Sequence, residues 1–305
     1  MGTYDLAAAG IDDPDLRASY ERCRRLNATH GKTYYLATLL LPRWKRPYVH
    51  ALYGFARYAD EIVDDLSSTA SVDEKGALLR EFGDNFLRDL LQGSSTDPVC
   101  RAVVDTVMRW NINPDHFVAF MHSMEMDLSV TSYATYDDLC EYTYGSAAVI
   151  GLQMVPILEP LDDSAYSAAV DLGTAFQLAN FIRDVGEDLD RGRVYLPEED
   201  MARFGVTRAD LQGRVVTPAI RDLLAYEIDR VRRLESQARP GIAALAPSSR
   251  PCIDAARILY CGIVDAVEAI DYQVFARRAT VPLRRRLSVA GSAYLRSKTR
   301  RSVHE

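Results

Sequence analysis

The chain has 305 residues, 48% of them hydrophobic and 26% charged, a composition that excludes disorder as its main state. Its 36 basic and 43 acidic residues leave a net charge of −7, which speaks against nonspecific nucleic-acid binding as the main task. Five scattered cysteines form no C-x-x-C pair, so neither a disulfide framework nor a zinc cluster is expected, and a reducing cytoplasm fits. The first residues lack a secretory signal, and no run of about 18 uncharged apolar residues offers a membrane-spanning helix.

Residues 1–14 read as an N-terminal tail. From residue 15 to 282 apolar positions recur at helical spacing, as in Leu78, Leu79, Phe82, Phe86 and Leu90, or Val103, Val104, Val107 and Met108. The expectation is an all-α single domain of on the order of ten helices joined by short connections. Ser71 with Glu74, Thr135 with Asp138 and Thr207 with Asp210 have the spacing of capping boxes, and Pro251 suits a first helical turn. Breakers fall at 42–47, 93–98, 113–114, 156–163, 192–197, 240–241 and 247–251. The segment Val149 to Leu158 is apolar nearly all round, which suits a buried central helix or the wall of a greasy cavity. Residues 283–305 carry Arg284, Arg285, Arg286, Arg296, Lys298, Arg300 and Arg301 among apolar residues. Such a tail either lies on an anionic membrane surface or is a solvated basic helix or frayed end.

Two helices carry polar residues where a core face belongs. Between about 49 and 66, Tyr53, Arg57, Asp60 and Asp64 stand at offsets 0, 4, 7 and 11, which at roughly 100° per residue keeps them on one face. Between about 165 and 190, Gln177, Asn180, Asp184 and Asp188 stand at offsets 0, 3, 7 and 11. Both rows are flanked by apolar or aromatic residues, so neither helix resembles a solvated one. Stacked like charges without a partner are costly once desolvated, so a cation is expected. Carboxylates without histidine or cysteine are hard oxygen ligands that select Mg²⁺ or Mn²⁺ over zinc. Two such rows across a cavity would hold a diphosphate, with Arg57, Arg183, Arg191 and Arg193 as candidates to grip its oxygens. For each arginine a plain structural salt bridge is the alternative. Gly31-Lys32-Thr33 imitates the end of a P-loop, but residue 26 is leucine and no strand precedes it, so nucleotide hydrolysis is rejected.

The runs Tyr58-Ala59-Asp60-Glu61-Ile62-Val63-Asp64-Asp65 and Gln177 to Asp188, continuing to Gly192-Arg193-Val194-Tyr195-Leu196-Pro197, closely resemble the two signatures of the squalene/phytoene synthase family. The likeness extends from His30-Gly31-Lys32-Thr33-Tyr34 through Tyr144 to Gly151 and on to Val274 to Arg278. It implies an all-α isoprenoid synthase fold with helices around a central apolar cavity. It also implies a prenyltransferase that joins two prenyl diphosphates 1′ to 1 through a cyclopropylcarbinyl diphosphate, with Mg²⁺ held by both aspartate motifs. Carried over by position, Asp60, Asp64, Asn180, Asp184 and Asp188 are the implied metal ligands. His30, Thr33, Tyr53, Arg57, Gln177, Asn180, Arg183 and Tyr260 are the implied substrate contacts, and Tyr144 matches a tyrosine of the catalytic cavity. One departure is Gly31, at a position where relatives often carry serine.

The wording of Tyr144 to Gly151 and of Ala276 to Pro282 is more similar to bacterial phytoene synthases than to squalene synthases. The expected reaction is therefore condensation of two geranylgeranyl diphosphates to phytoene, without NADPH. Turnover of farnesyl diphosphate to squalene, hydroxysqualene or dehydrosqualene is the alternative. A non-catalytic helical assembly factor is disfavoured because the four aspartates remain. A terpene cyclase is disfavoured because the acidic spacings do not match its two motifs.

Overall fold

The computed structural model describes residues 2–64, 70–282, 284, 285 and 291; the basic segment 283–305 otherwise lies outside the described residues. Helices follow one another as α1 (Gly2–Ala8), α2 (Pro14–His30), α3 (Lys32–Thr38), α4 (Arg46–Asp64), α5 (Val72–Gln92), α6 (Cys100–Trp110) and α7 (Asp115–Met126). Then come α8 (Tyr136–Thr143), a π-helical turn (Tyr144–Ala148), α9 (Val149–Leu158), α10 (Ser164–Asp190), α11 (Glu198–Arg203), α12 (Arg208–Gln212), α13 (Pro218–Ala238) and α14 (Arg250–Ala269). Among the described residues the only β feature is an isolated antiparallel bridge between Pro160 and Leu245. No described helix is long and apolar enough to cross a membrane.

Local chemistry sets the helix ends. Ser71, Thr135 and Thr207 each form the expected reciprocal capping box at the starts of α5, α8 and α12. Gly93 closes α5 with φ +71°, a left-handed geometry that costs a residue without Cβ little. The all-α expectation holds, but α1, α3, α11 and α12 add one- or two-turn helices too short to display a period. The N-terminal tail is corrected as well. Residues 2–8 are helical, and Leu6, Ala9 and Ile11 are buried, because this apolar edge covers the start of α4 beside the Asp5 to Arg46 ion pair.

The 27-residue α10 is the central column, packed by α9, the π-helical turn, α13 and α14. On its other side, α4 packs its apolar face against α2, α5 and α6, with Phe55 among Phe82, Phe86, Phe117 and Phe120 at 4.5–5.9 Å between ring centroids. Burial of that face leaves the Tyr53, Arg57 and Asp60 row turned the other way, toward α10.

A buried ionic cluster ties α11 to α13. Arg230 donates from Nη1 to Asp200 Oδ2 at 2.9 Å and to Glu227 Oε2 at 2.5 Å, and its guanidinium lies 3.9 Å from the Tyr136 ring centroid. One cation thus faces two carboxylates, and burial pushes Glu227 up to about 7. The unfolded chain has released that proton above about 4.5, whereas the folded chain holds it until near 7. Stability from this group is therefore full below pH 4.5 and falls as pH rises to 7, by on the order of 3 kcal/mol. Urea unfolding at pH 5 and 7.5 is expected to show this decline, and Glu227→Gln is expected to flatten it. An unaltered slope in the variant would assign the decline to another group.

Candidate active site

The two polar rows meet around a chamber of about 350 Å³. From α4 it takes Tyr53, Arg57 and Asp60; from α10 it takes Gln177, Asn180, Arg183, Asp184 and Asp188; Arg191 and Arg193 close it from the loop after α10. Beside it lies an apolar cavity of about 480 Å³, walled by α9 residues such as Ile150, Gly151, Met154, Val155 and Leu158 together with Phe176 and Leu172 of α10. Tyr53, Asp60, Ser146, Gln177 and Asn180 line both spaces, so the polar chamber and the greasy cavity adjoin. The apolar stretch 149–158 thus serves both readings, with Val149, Leu152 and Ile157 in the core and the opposite face on the cavity.

Each carboxylate row comes with its own cations. Arg57 donates to Asp60 Oδ2 at 2.6 Å and to Glu61 Oε1 at 3.1 Å. Arg183 grips Asp184 through two bonds, Nε to Oδ1 at 2.7 Å and Nη2 to Oδ2 at 2.5 Å, and Arg278 adds a bond to Oδ2 at 3.0 Å and an ion pair to Glu187 at 3.2 Å. Burial, reinforced by Asp184 one turn away, pushes Asp188 up to about 7 despite Arg191 and Arg193. Asp64 ends α4, but its side chain lies outside what is described.

The structure corrects Tyr144. This residue opens the π-helical turn with its side chain 45% exposed, and it lines neither space. Tyr142, two residues earlier and so roughly 200° around the helix, is the one that faces the polar chamber. It is 3% exposed and donates to Asp127 Oδ2 at 2.8 Å. Tyr195 donates to Asp127 Oδ1 at 3.1 Å, and its ring lies flat on Phe181 with centroids 4.0 Å apart. Burial, with the Asp127 carboxylate second, raises the Tyr142 phenol well above its ordinary value. Sequence reasoning missed Asp127, Tyr142, Phe181 and Ser146; the signal for Tyr142 was its position one turn before Ser146 on the face that continues to Ile150.

His30 and Thr33 line neither space: His30 is the exposed last residue of α2 and Thr33 sits in the first turn of α3. Their neighbour Tyr34 reaches the apolar cavity instead. Tyr260 stands behind the wall, with its ring tilted against Tyr34 at 4.6 Å and stacked on Phe176 at 4.8 Å between centroids, so it supports cavity residues without lining the cavity.

A family model described as squalene/phytoene synthase matches residues 27–285. The chain belongs to the squalene/phytoene synthase family. It is thus a prenyltransferase of the isoprenoid synthase fold. It is 36% identical over 293 residues to a phytoene synthase of Arthrospira platensis, covering 92% of this chain and 94% of that one. It is 34% identical to a 15-cis-phytoene synthase of Synechococcus elongatus over 294 residues, covering 92% and 94%. Among solved structures, a dehydrosqualene synthase superposes with a TM-score of 0.84 at 26% identity, covering 93% of this chain and 98% of that one. A squalene synthase of Alicyclobacillus acidocaldarius gives 0.79 at 28%, covering 87% and 98%.

The donors suit the hard divalent cation that the family pattern implies. They are oxygen donors without histidine or thiolate, and Asp188 is a desolvated carboxylate whose ionised form asks for a neighbouring cation. No group of three or more such donors is gathered at one point among the described residues.

The family's frequent serine at position 31 has no room here. A Cβ on Gly31 would come within 2.6 Å of the Tyr53 ring and 2.7 Å of Asn27 Oδ1. Gly31→Ser is expected to push Tyr53 out of place, costing about 1–3 kcal/mol of stability and raising KM for a prenyl diphosphate. Thermal melting and steady-state kinetics check this; wild-type values in both would show that Tyr53 yields freely.

Proposed function

We propose that this protein condenses two geranylgeranyl diphosphates 1′ to 1, through a cyclopropylcarbinyl diphosphate, to phytoene. The observation that carries the reading is the junction: a carboxylate- and arginine-lined chamber adjoins an apolar cavity of about 480 Å³ through shared lining residues. A diphosphate head and a water-insoluble tail have opposite solvation needs, and the adjoining spaces meet both. The phytoene synthases to which the chain is about one-third identical over nine-tenths of its length support the C20 substrate over the C15 one.

Asp60, Asp64, Asn180, Asp184 and Asp188 would hold Mg²⁺ or Mn²⁺, which when bound supplies positive charge to the diphosphate oxygens. Arg57, Arg183, Arg191 and Arg193 add fixed charge on the same oxygens and so favour departure of diphosphate from C1. Gln177 and Asn180, at the border, orient the head group. The allylic cation left behind is bordered by the aromatic rings of Phe176 on the apolar side and of Phe181, Tyr195 and Tyr142 on the polar side, whose π-electrons stabilise positive charge. The walls of α9 and α10 exclude water that would otherwise capture the cation. Asp127 fixes Tyr142 at the chamber wall by accepting a hydrogen bond from its phenol. The released diphosphate then accepts a proton from the second cation, whose C–H electron pair becomes the new double bond of the conjugated triene.

Purified protein supplied with geranylgeranyl diphosphate and Mg²⁺, without NADPH, is expected to give a C40 triene by mass spectrometry. Turnover of farnesyl diphosphate alone would reassign the substrate, and a requirement for NADPH would reassign the last step.

A further inference from the structure

A hydroxyl without a partner stands at the border of the two spaces. Ser146 is 9% exposed, lines both the polar chamber and the apolar cavity, and its Oγ has no hydrogen-bond partner. Helical serines ordinarily satisfy their hydroxyl on the carbonyl four residues back. Here that carbonyl, on Tyr142, accepts from Ser123 Oγ at 3.0 Å. The backbone is also π-helical at this point, closed by the Val149 N–H on the Tyr144 carbonyl, and single π turns of this kind are frequent at functional sites. A desolvated hydroxyl is costly unless something else satisfies it, and its surroundings leave a ligand at the border to do so.

Resting on the functional reading above, we propose that Ser146 is a substrate-contacting residue whose hydroxyl donates a hydrogen bond to the diphosphate at the C1–O bond that breaks. The C1–O bond cleaves heterolytically, its electron pair leaves on the diphosphate oxygen, and the Ser146 proton stays on Oγ while its hydrogen bond strengthens as charge builds. Donation also turns Oγ–H toward the polar chamber. That orientation suits a cavity in which a free hydroxyl oxygen aimed at the cation would be alkylated.

Three variants test the proposal, Ser146→Ala, Ser146→Cys and Ser146→Thr, with kcat and KM for geranylgeranyl diphosphate, inhibition by inorganic diphosphate, and melting temperature as readouts. Ser146→Ala and the nearly isosteric Ser146→Cys are expected to lose about 10- to 100-fold in kcat and to be inhibited less by diphosphate. Ser146→Thr, which keeps the donor, is expected to retain kcat within about threefold. Wild-type kcat and diphosphate inhibition in Ser146→Cys would overturn the proposal, even if Ser146→Ala folds poorly. A wild-type protein that turns over no prenyl diphosphate would overturn the functional reading and this proposal together.

Discussion

Asp184→Asn is expected to lower the single-turnover rate with geranylgeranyl diphosphate by about a hundred- to a thousandfold while the protein stays folded. The exchange keeps shape and removes one negative charge from a carboxylate held by Arg183 at 2.7 and 2.5 Å and by Arg278 at 3.0 Å. Two losses would combine: the oxygen ligand proposed for a divalent ion, and the anchor that orients the Arg183 guanidinium in the chamber. They are separable, because raising the Mg²⁺ or Mn²⁺ concentration restores a weakened metal site but does not re-seat Arg183. Asp60→Asn is expected to behave similarly, since Asp60 pairs with Arg57 at 2.6 Å and lines both spaces. Melting is expected to shift by only a few degrees, because the exchange of carboxylate for carboxamide keeps the side chain's shape and an oxygen that accepts from the neighbouring arginine. Near-normal turnover in both variants would remove the aspartate rows from the mechanism.

Tyr142→Phe is expected to reduce kcat by about 10- to 100-fold, and Tyr144→Phe to leave it within about twofold. Tyr142 is buried against Asp127 in the polar chamber, whereas the Tyr144 hydroxyl group belongs to a half-exposed ring that lines neither space. Losing the Tyr142 hydroxyl leaves Asp127 with Tyr195 as its remaining phenol donor and removes an oxygen from the cation's surroundings. The ring itself stays, so substrate binding should suffer less than turnover. The comparison is made with purified variants at saturating substrate, with products identified by mass. A reversed order of effects would restore Tyr144 to the site.

Much of this site was legible before folding was considered. The offsets of Tyr53, Arg57 and Asp60 and of Gln177, Asn180, Asp184 and Asp188 placed each set on one helical face, and the fold turns both faces to one chamber. Periodicity works because residues 3 or 4 apart are neighbours on any helix, whatever it packs against. The same rule failed at Tyr144. A motif match names a segment, but which of two tyrosines in it faces inward depends on the rotation of α8 and the π-helical turn against α7. Close backbone approach sets that rotation: a Cβ on Gly145 would collide with the Ala119 carbonyl and Ser123 Oγ, so only glycine lets α7 lie that near. His30 and Thr33 show the same limit, since their motif is matched while Gly31 ends α2 and turns Tyr34 to the cavity instead.

Helices, their caps and the two acid rows followed from residues close together in the chain, because hydrogen bonds and side-chain spacing within a few turns decide them. The adjoining chamber and cavity, the Asp127 anchor under Tyr142 and Tyr195, and the unpartnered Ser146 hydroxyl arose only in three dimensions. Each joins elements tens of residues apart, and their relation is fixed by how the helices pack.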